Sequence, residues 1–317
     1  MSDTLVVGEL QVRPGERATA VILVSLGEQT VGVPVIAING RQPGPRVSIT
    51  GGIHGGEYVG IETARRLGMG LDPESVAGSL VVVPVANPAA LRARAVYNSA
   101  LDTHNINRVF PGNPNGDPSE RLAYWLFETV IRPSNFHIDL HGGDLIEALR
   151  PFVLYVRTDN HDVEETSRRM AFATGIPDII RTEVKGAAYA EATHLGIPSI
   201  IAEVGENGMW ADATVGRFED AVRGVLQTVE VLPGRRPIDE SVHIYEDLPS
   251  VDSPVDGFFY PTVALGDRVT KGQTLGTITD YFGNELHRVE SPVDGVVLIV
   301  VTTLVTNKGD QLLSLAA

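Results

Sequence analysis

A histidine and a glutamate three residues apart stand on a glycine-rich segment, Gly-Gly-Ile-His54-Gly-Gly-Glu57, where both side chains can reach one metal ion. The apolar run before it, residues 46–50, reads as a buried strand, and the glycines allow the backbone to turn tightly where that strand ends. A zinc site that performs hydrolysis uses three protein ligands drawn from His and Asp/Glu and keeps one position open. We predict that His54 and Glu57 supply two of the three.

A second short strand, Phe136-His-Ile-Asp-Leu-His141, also ends in a glycine turn. Side chains alternate across a strand, so His137, Asp139 and His141 share one face. Because His141 stands at the end of the strand, it is the predicted third ligand. Asp139 or His137 would lie behind it, either orienting an imidazole or filling the core.

A third apolar strand, Ser199-Ile-Ile-Ala-Glu203, ends in a carboxylate that is followed by glycines. A carboxylate at the end of a buried strand costs free energy unless it is paired or used in chemistry. In open α/β sheets, ligands bind at the ends of the strands. We therefore predict that Glu203 is the general base, which takes a proton from the metal-bound water and delivers it to the leaving nitrogen. Glu206 is the rival for this role.

An adjacent Asn107 and Arg108 lead into Phe-Pro-Gly between the two ligand segments. Together they offer a fork of donors, and a guanidinium can hold a carboxylate through two parallel hydrogen bonds. Asn107 and Arg108 are therefore predicted to bind a carboxylate of the substrate.

The motifs follow one another over about residues 46 to 208 in the order His-Gly-x-Glu, Asn-Pro, Asn-x-Asn-Arg-x-Phe-Pro-Gly, Asp-Leu-His-Gly and Ile-x-x-Glu. In this order they resemble the succinylglutamate desuccinylase/aspartoacylase family, a branch of the zinc carboxypeptidase superfamily. The resemblance implies an amidohydrolase that acts on linear amides and removes the acyl group of a small N-acyl amino acid. It implies one zinc ion per chain and these residue roles: zinc ligands His54, Glu57 and His141, catalytic carboxylate Glu203, and carboxylate-binding Asn107 and Arg108.

The sequence departs from the family at one position. Many members carry an arginine ahead of the Asn-Arg pair that steadies the oxyanion, and an ungapped alignment puts Val96 there. Loss of an oxyanion donor costs on the order of a hundredfold in rate. Arg94, or Arg92 before it, is the candidate substitute. Two alternatives stay open: a metallocarboxypeptidase acting on a peptide or amino-acid conjugate, and a non-catalytic protein that binds small carboxylates.

The composition of the chain limits the classes of partner that it is expected to bind. The 317-residue chain has a formal net charge of −15 and no clustered basic residues, which argues against nucleic acid. Without cysteine, a zinc site must use nitrogen and oxygen ligands. The N-terminus lacks a basic and apolar signal, and apolar runs are of strand length, so no membrane association is predicted. A cytoplasmic location and a homodimer are the default expectations.

From residue 46 onward, strand-like and helix-like segments alternate, which predicts an α/β fold with a mostly parallel, helix-covered mixed sheet of zinc-carboxypeptidase type. Residues 1–45 read as an antiparallel β-rich edge. Helices are expected near 58–69, 119–131 and 162–174, the second capped by Ser119. The segment 233–237 reads as a linker between a catalytic domain, 1–237, and a second domain, 238–317.

The second predicted domain contains an internal repeat. The segment Ser-Pro-Val-Asp-Gly at 253–257 returns at 291–295, and Val-Thr-Lys-Gly at 269–272 is echoed by Val-Thr-Asn-Lys-Gly at 305–309. Such a repeat predicts two interlocked halves, and it resembles the all-β barrel-sandwich fold of biotinyl and lipoyl carrier domains. A carrier needs a lysine on the hairpin between the halves, and no lysine lies between Lys271 and Lys308. The absence of this lysine argues strongly against a carrier function.

Overall fold

The computed structural model describes residues 4–237, 239 and 242–317. The strands up to residue 245 are β1 (Leu5–Val7), β2 (Leu10–Val12), β3 (Glu16–Ser25), β4 (Thr30–Asn39), β5 (Gln42–Gly51), β6 (Ala77–Val83), β7 (Phe136–His141), β8 (Glu147–Leu149), β9 (Phe152–Val156), β10 (Asp178–Thr182), β11 (Ser199–Glu203) and β12 (Ile244–Tyr245). The helices are α1 (Tyr58–Gly70), α2 (Pro88–Ala93), α3 (Pro118–Leu126), α4 (His161–Ala173), α5 (Ala188–His194) and α6 (Asp212–Thr228).

In the described chain, nine of these strands form one mixed sheet in the order β12-β10-β9-β11-β7-β5-β6-β4-β3. The strands β6, β5, β7 and β11 run parallel to one another, whereas β4 is antiparallel to both β3 and β6, and β9 runs antiparallel to β11. The strands β1 and β2 pair with each other as a separate antiparallel hairpin. The predicted mixed sheet with a β-rich N-terminal edge is confirmed.

Helices cover both faces of the sheet. On one face, apolar side chains of α1, α4 and α6, such as Leu67, Met170 and Phe218, pack against β5 and β7. On the other face, α3 and α5 cover β4 and β6. Burying one Leu, Met or Phe side chain contributes about 1.5–3 kcal/mol, so these two layers hold the strand ends in a fixed arrangement.

Helix α1 lies against the sheet because Gly60 has no side chain. A Cβ atom at Gly60 would stand 2.5 Å from the Leu140 carbonyl oxygen of β7, which no real side chain tolerates. The same helix begins directly after Glu57. The close approach therefore fixes the start of α1, and with it Glu57, against the end of β7.

The predicted start of the third helix is wrong. The N-cap is Asp117, which forms a capping box with Glu120, and not Ser119. Ser119 lies inside the first turn, where its amide and its hydroxyl donate to Asp102 at 2.6 and 2.7 Å. The helix also changes at Leu126 to a π-helical turn, Phe127–Ile131. Asp117 and Ser119 are both residue types that cap helices, so the sequence alone does not decide between them. The contact of Ser119 with Asp102, which lies 17 residues earlier in the chain, is what occupies the Ser119 side chain.

The C-terminal strands are β13 (Ser250–Asp252), β14 (Gly257–Pro261), β15 (Arg268–Val269), β16 (Thr274–Thr279), β17 (Glu285–Glu290), β18 (Gly295–Val301), β19 (Val305–Thr306) and β20 (Gln311–Ala316). They form two antiparallel sheets, one in the order β13-β20-β18-β15 and the other in the order β17-β16-β14-β19. The strand β15 of the first repeat thus pairs with β18 of the second, and β19 of the second pairs with β14 of the first.

The two repeats hold each other by matched hydrogen bonds. Asp256 of the first repeat accepts from the Lys308 amide at 2.7 Å, and Asp294 of the second accepts from the Lys271 amide at 2.7 Å. The interlocked β halves predicted from the repeat are therefore present. No helix in the described residues is long and apolar enough to cross a membrane.

One strand of the N-terminal part of the chain belongs to a C-terminal sheet. Strand β8 is not part of the large sheet and pairs antiparallel with β18, Glu147 opposite Val301. Strand β12, which follows the predicted linker, pairs with β10 and extends the large sheet beyond residue 237. Residue 238, the first of the second predicted domain, lies outside the described residues. A boundary at 237 stays a prediction.

A buried histidine connects two central strands. His137 of β7 is fully buried, and its Nδ1 lies 3.0 Å from the Ser48 hydroxyl of β5. Burial lowers the pKa of His137 to about 4, against the opposing effect of Asp139. The imidazole is consequently neutral in the native protein at neutral pH.

We expect acid to destabilise the fold through His137. The unfolded residue has an ordinary pKa near 6.5, so below that pH the unfolded chain binds a proton that the native chain, with a pKa of about 4, does not. The free energy of unfolding should lose roughly 2 kcal/mol from this group between about pH 7 and pH 5. Denaturant unfolding at the two pH values measures this loss, and His137→Gln should lose that much less. An equal loss in both proteins would contradict the assignment.

Candidate metal centre and active-site cavity

His54 and Glu57 lie on the turn that joins β5 to α1. Gly52 at the start of this turn has a φ of +66°, which a glycine adopts without strain. A Cβ atom at Gly55 would lie 2.2 Å from the Ala90 carbonyl carbon, so the turn packs directly on α2. The backbone of the segment is therefore held on both sides, and its two functional side chains project from a fixed position.

Three side chains converge at the ends of β5 and β7. The Glu57 carboxylate lies between two imidazoles, with Oε1 at 2.5 Å from His54 Nδ1 and Oε2 at 2.8 Å from His141 Nδ1. All three residues are buried: His54 is 7 % exposed, Glu57 3 % and His141 1 %. One ligand atom from each residue lies within 4.8 Å of the others, and the group could hold a metal ion. The structure thus brings together the three ligands predicted from the sequence.

The surroundings of His141 fit a metal ligand. Its Nε2 faces away from Glu57 and lies 3.2 Å from Asp139 Oδ2, while Asp139 Oδ1 accepts a hydrogen bond from Thr50 at 2.6 Å. A carboxylate behind the second nitrogen fixes the ring and leaves Nδ1 for the metal. Of the two residues predicted to lie behind the ligand, Asp139 does so, and His137 instead contacts Ser48.

The Glu57 carboxylate and the His141 imidazole shift each other's pKa. Burial alone would raise the pKa of Glu57, but His54 and His141 outweigh it and lower the pKa to about 2. Burial would lower the pKa of His141, but Glu57 and Asp139 raise it well above its usual value. The buried Glu57 carboxylate is thus held ionised between two imidazoles. Such a set of oxygen and nitrogen donors can bind a divalent cation in place of the protons that it holds without one.

The three residues line a cavity of about 870 Å³. Glu203 lies on the same cavity at the end of β11, directly opposite His141 in the strand register. Burial raises the pKa of Glu203 well above its usual value; His141 opposes this, and Glu57 and Glu147 add to it. Glu206, the rival base, is exposed and is not among the described residues that line the cavity.

Asn107 and Arg108 also line the cavity, on a single helical turn, Ile106–Arg108. The Asn107 side chain is buried, and its Oδ1 accepts from the Ala188 amide at 3.0 Å. Arg108 is exposed, and one of its five donors binds the Asn107 carbonyl at 2.9 Å. Asn107 is therefore anchored to α5, and the guanidinium beside it keeps donors that can bind an anion.

Arg94 is not brought to the cavity. It is exposed and occupies the left-handed C-cap position of α2, with φ at +52°. Val96 lines the cavity, and so does Tyr97 next to it. The described lining therefore has no arginine at the point where the family arginine would stand. The exposed hairpin residues Tyr281 and Phe282 also lie outside this lining.

Several cavity residues were missed in the sequence. Tyr97 and Glu147 line the cavity, and the Tyr97 hydroxyl hydrogen-bonds with the Glu147 side chain. Asp144 lies behind them and accepts from the Tyr97 amide at 3.0 Å. Burial raises the pKa of Glu147 to about 7. Two carboxylates directly after the Asp-Leu-His-Gly-Gly turn were the available signal, since such turns end parallel strands where ligands bind.

One wall of the cavity comes from the C-terminal sheets. It is formed by side chains on and between β13, β18 and β20, among them Ile299, Asp310 and Gln311. The Gln311 amide nitrogen lies 3.5 Å from Glu147 Oε1. The cavity is therefore closed on one side by strands that lie far from the metal ligands in the sequence.

Comparison with known proteins identifies the family. A model of the succinylglutamate desuccinylase/aspartoacylase catalytic domain matches residues 43–229, and a model of an uncharacterised protein conserved in archaea matches residues 251–313. A curated relative, the N-alpha-acetyl-L-2,4-diaminobutyric acid deacetylase of Halomonas elongata, is 29 % identical over 90 % of this chain and 85 % of its own. The family predicted from the motifs is confirmed.

Solved structures agree with this fold. A succinylglutamate desuccinylase/aspartoacylase from Rhodobacter sphaeroides superposes with a TM-score of 0.84 at 25 % identity, covering 96 % of both chains. The product-bound ectoine utilization protein EutE (DoeB) from Ruegeria pomeroyi has a TM-score of 0.85 at 24 % identity and covers 96 % of this chain and 95 % of its own. These proteins therefore share both the large mixed sheet and the C-terminal β region.

We expect the metal to depend on His141 and to be tuned by Asp139. The wild-type protein should bind one equivalent of Zn²⁺, and His141→Ala should bind none with measurable affinity because one of three ligands is missing. Asp139→Asn should keep the site but bind about 10–100-fold more weakly, because the imidazole loses its orienting carboxylate. Equilibrium dialysis with metal analysis measures both, with Asp159→Asn on the surface as the matched control. Wild-type affinity in His141→Ala would contradict the site.

Proposed function

The chain belongs to the succinylglutamate desuccinylase/aspartoacylase family, and on that premise we propose that it is a zinc-dependent hydrolase of small N-acyl amino acids. The reaction is hydrolysis of the amide bond, which releases a carboxylic acid and a free amino acid. The observation that carries the proposal is the convergence of His54, Glu57 and His141 in one cavity with Glu203. Nitrogen and oxygen ligands of this kind suit zinc in a catalytic site.

The bound metal would supply Lewis acidity, lowering the pKa of a coordinated water and polarising the amide carbonyl. The chain's own residues do the rest. Glu203 lies at the cavity edge of β11, where its carboxylate takes a proton from the attacking water and passes it to the departing amine nitrogen. Burial raises the pKa of the Glu203 carboxyl above its usual value, which makes it a stronger proton acceptor than an exposed carboxylate and suits it to both steps.

Arg108 and Asn107 position the substrate in the cavity relative to the metal ligands. Arg108 presents its guanidinium to the cavity and would bind a substrate carboxylate through parallel hydrogen bonds. Asn107 is fixed by its contact with the Ala188 amide and keeps its own amide nitrogen for the substrate. Holding the carboxylate orients the scissile amide over the metal ligands and lowers the entropic cost of the reaction.

The relative from Halomonas elongata is named for a substrate that carries an acetyl group on 2,4-diaminobutyric acid. We propose the same compound as the first candidate substrate of this protein. The rival function is a metallocarboxypeptidase that acts on a peptide or amino-acid conjugate; the wall that Ile299, Asp310 and Gln311 form on one side of the cavity disfavours long peptides as its substrates. That wall leaves room for a small conjugate.

We expect Glu203→Gln to keep the metal and to lose turnover by at least about a hundredfold, because the amide cannot accept the proton of the attacking water. Release of free amine from a panel of N-acetyl, N-succinyl and N-formyl amino acids measures the rate, and metal analysis measures the zinc content. Glu206→Gln, three residues later and exposed, is the matched control and should retain activity. A wild-type rate in Glu203→Gln would rule out the proton-transfer role. Absence of turnover by the zinc-loaded wild-type protein across the panel would overturn the deacylase.

A further inference from the structure

Glu147 is a buried carboxylate on the cavity wall that has no part in the hydrolysis described above. It is 7 % exposed, and its contacts among the described residues are neutral groups. The Asp144 amide lies 3.4 Å from Oε2, the Gln311 amide nitrogen lies 3.5 Å from Oε1, and the Tyr97 hydroxyl completes the set. Both measured distances are at the long limit of a hydrogen bond, so the carboxylate is only partly satisfied.

The other acidic residues of the described cavity lining are accounted for. Glu57 belongs to the metal centre and Glu203 to proton transfer. Glu183 is exposed and pairs with Arg157 at 2.7 Å. The remaining two, Asp247 and Asp310, are also exposed and each accepts a hydrogen bond from a nearby backbone amide. Glu147 is therefore the buried acid of this lining that lacks both a catalytic role and a cation.

The strand that carries Glu147 is rigidly placed. Strand β8 pairs with β18, and the Glu147 carbonyl accepts from the Asn207 amide at 2.7 Å. The Tyr97 hydroxyl binds the Glu147 side chain, and the Tyr97 ring packs edge-on against His54 with 6.0 Å between centroids. Glu147 is thus separated from the metal centre by one aromatic side chain.

We propose that Glu147 binds a positively charged group at the end of a short side chain on the amino-acid half of the substrate. This rests on the proposed function, in which Arg108 binds the carboxylate and the metal centre faces the amide. Arg108 is the sole Lys or Arg among the described lining residues, so the lining offers one cationic side chain for a carboxylate and, at Glu147, a buried carboxylate for a cation. A ligand with one carboxylate and one side-chain ammonium matches both.

The physical basis is the cost of a buried, unpaired carboxylate. Removing an ionised carboxylate from water without a cation is strongly unfavourable, and a bound ammonium restores the lost stabilisation. A neutral ligand side chain of the same shape would leave Glu147 with the Tyr97 hydroxyl and its two long contacts, and with no cation. The cavity should therefore discriminate by charge between ligands of equal size.

The test compares two amino acids that differ in one terminal group. The side chain of L-2,4-diaminobutyrate ends in an ammonium, and that of L-norvaline ends in a methyl of nearly the same size. Calorimetry gives the Kd of each for the zinc-loaded protein near pH 7.5, and the hydrolysis of their Nα-acetyl forms gives kcat/KM. We expect the wild-type protein to prefer the cationic ligand at least about tenfold, since a hydrogen bond to a charged group has that effect.

Glu147→Gln keeps the shape of the side chain and removes its charge, so the preference should fall at least about tenfold. Glu183→Gln, on the same cavity but exposed and paired with Arg157, is the matched control and should keep the wild-type preference. Equal affinities for the two ligands in the wild-type protein would overturn the proposal without any variant, and so would an unchanged preference in Glu147→Gln.

Binding and turnover separate the two proposals. A preference for diaminobutyrate in the calorimetry, with no hydrolysis of either acetyl compound or of the other N-acyl amino acids of the panel, would overturn the deacylase and keep the cation site. Hydrolysis of both acetyl compounds at equal rates, with equal affinity for both amino acids, would keep the deacylase and overturn the role of Glu147.

Discussion

A single buried carboxylate determines the arrangement of the site. Glu57 is 3 % exposed and lies between His54 and His141, within 2.8 Å of both. An ionised carboxylate in this position needs positive charge close to it, which two imidazoles or a divalent cation supplies. The packing around it serves this need: Gly60 lets α1 approach β7, and α1 begins at the residue after Glu57. The candidate metal centre therefore lies where β5, β7 and α1 meet.

The parallel register of β5, β7 and β11 explains why distant residues meet. Thr50 lies opposite Asp139, and His141 lies opposite Glu203, so the three strands end at the same edge of the sheet. Alternation along β7 then aims His137, Asp139 and His141 to the same side. These are local rules, and they suffice to predict the metal ligands, the carboxylate behind them and the acid at the end of β11 from the sequence. The metal-binding and catalytic roles of these residues stay predictions.

The remaining wall of the cavity does not follow from local rules. Glu147 reaches it because β8 pairs with β18, and Gln311 because β20 lies beside β18. No spacing in the sequence reports a pairing between strands about 150 residues apart, although the repeat does predict how the C-terminal strands interlock. The same limit applies to Arg94, whose side chain the left-handed end of α2 keeps outside the described lining. Sequence reasoning thus found the side chains that converge at the strand ends and missed the cavity wall that β8 and the C-terminal strands form.

The most direct test of the metal centre is diffraction at the zinc absorption edge from crystals of the zinc-loaded protein. The account predicts one anomalous peak per chain, with His54 Nδ1, a Glu57 oxygen and His141 Nδ1 each at about 2.0–2.2 Å from the ion. A peak bonded to other residues, or bonding through the Nε2 atom of His141 that faces Asp139, would contradict the account.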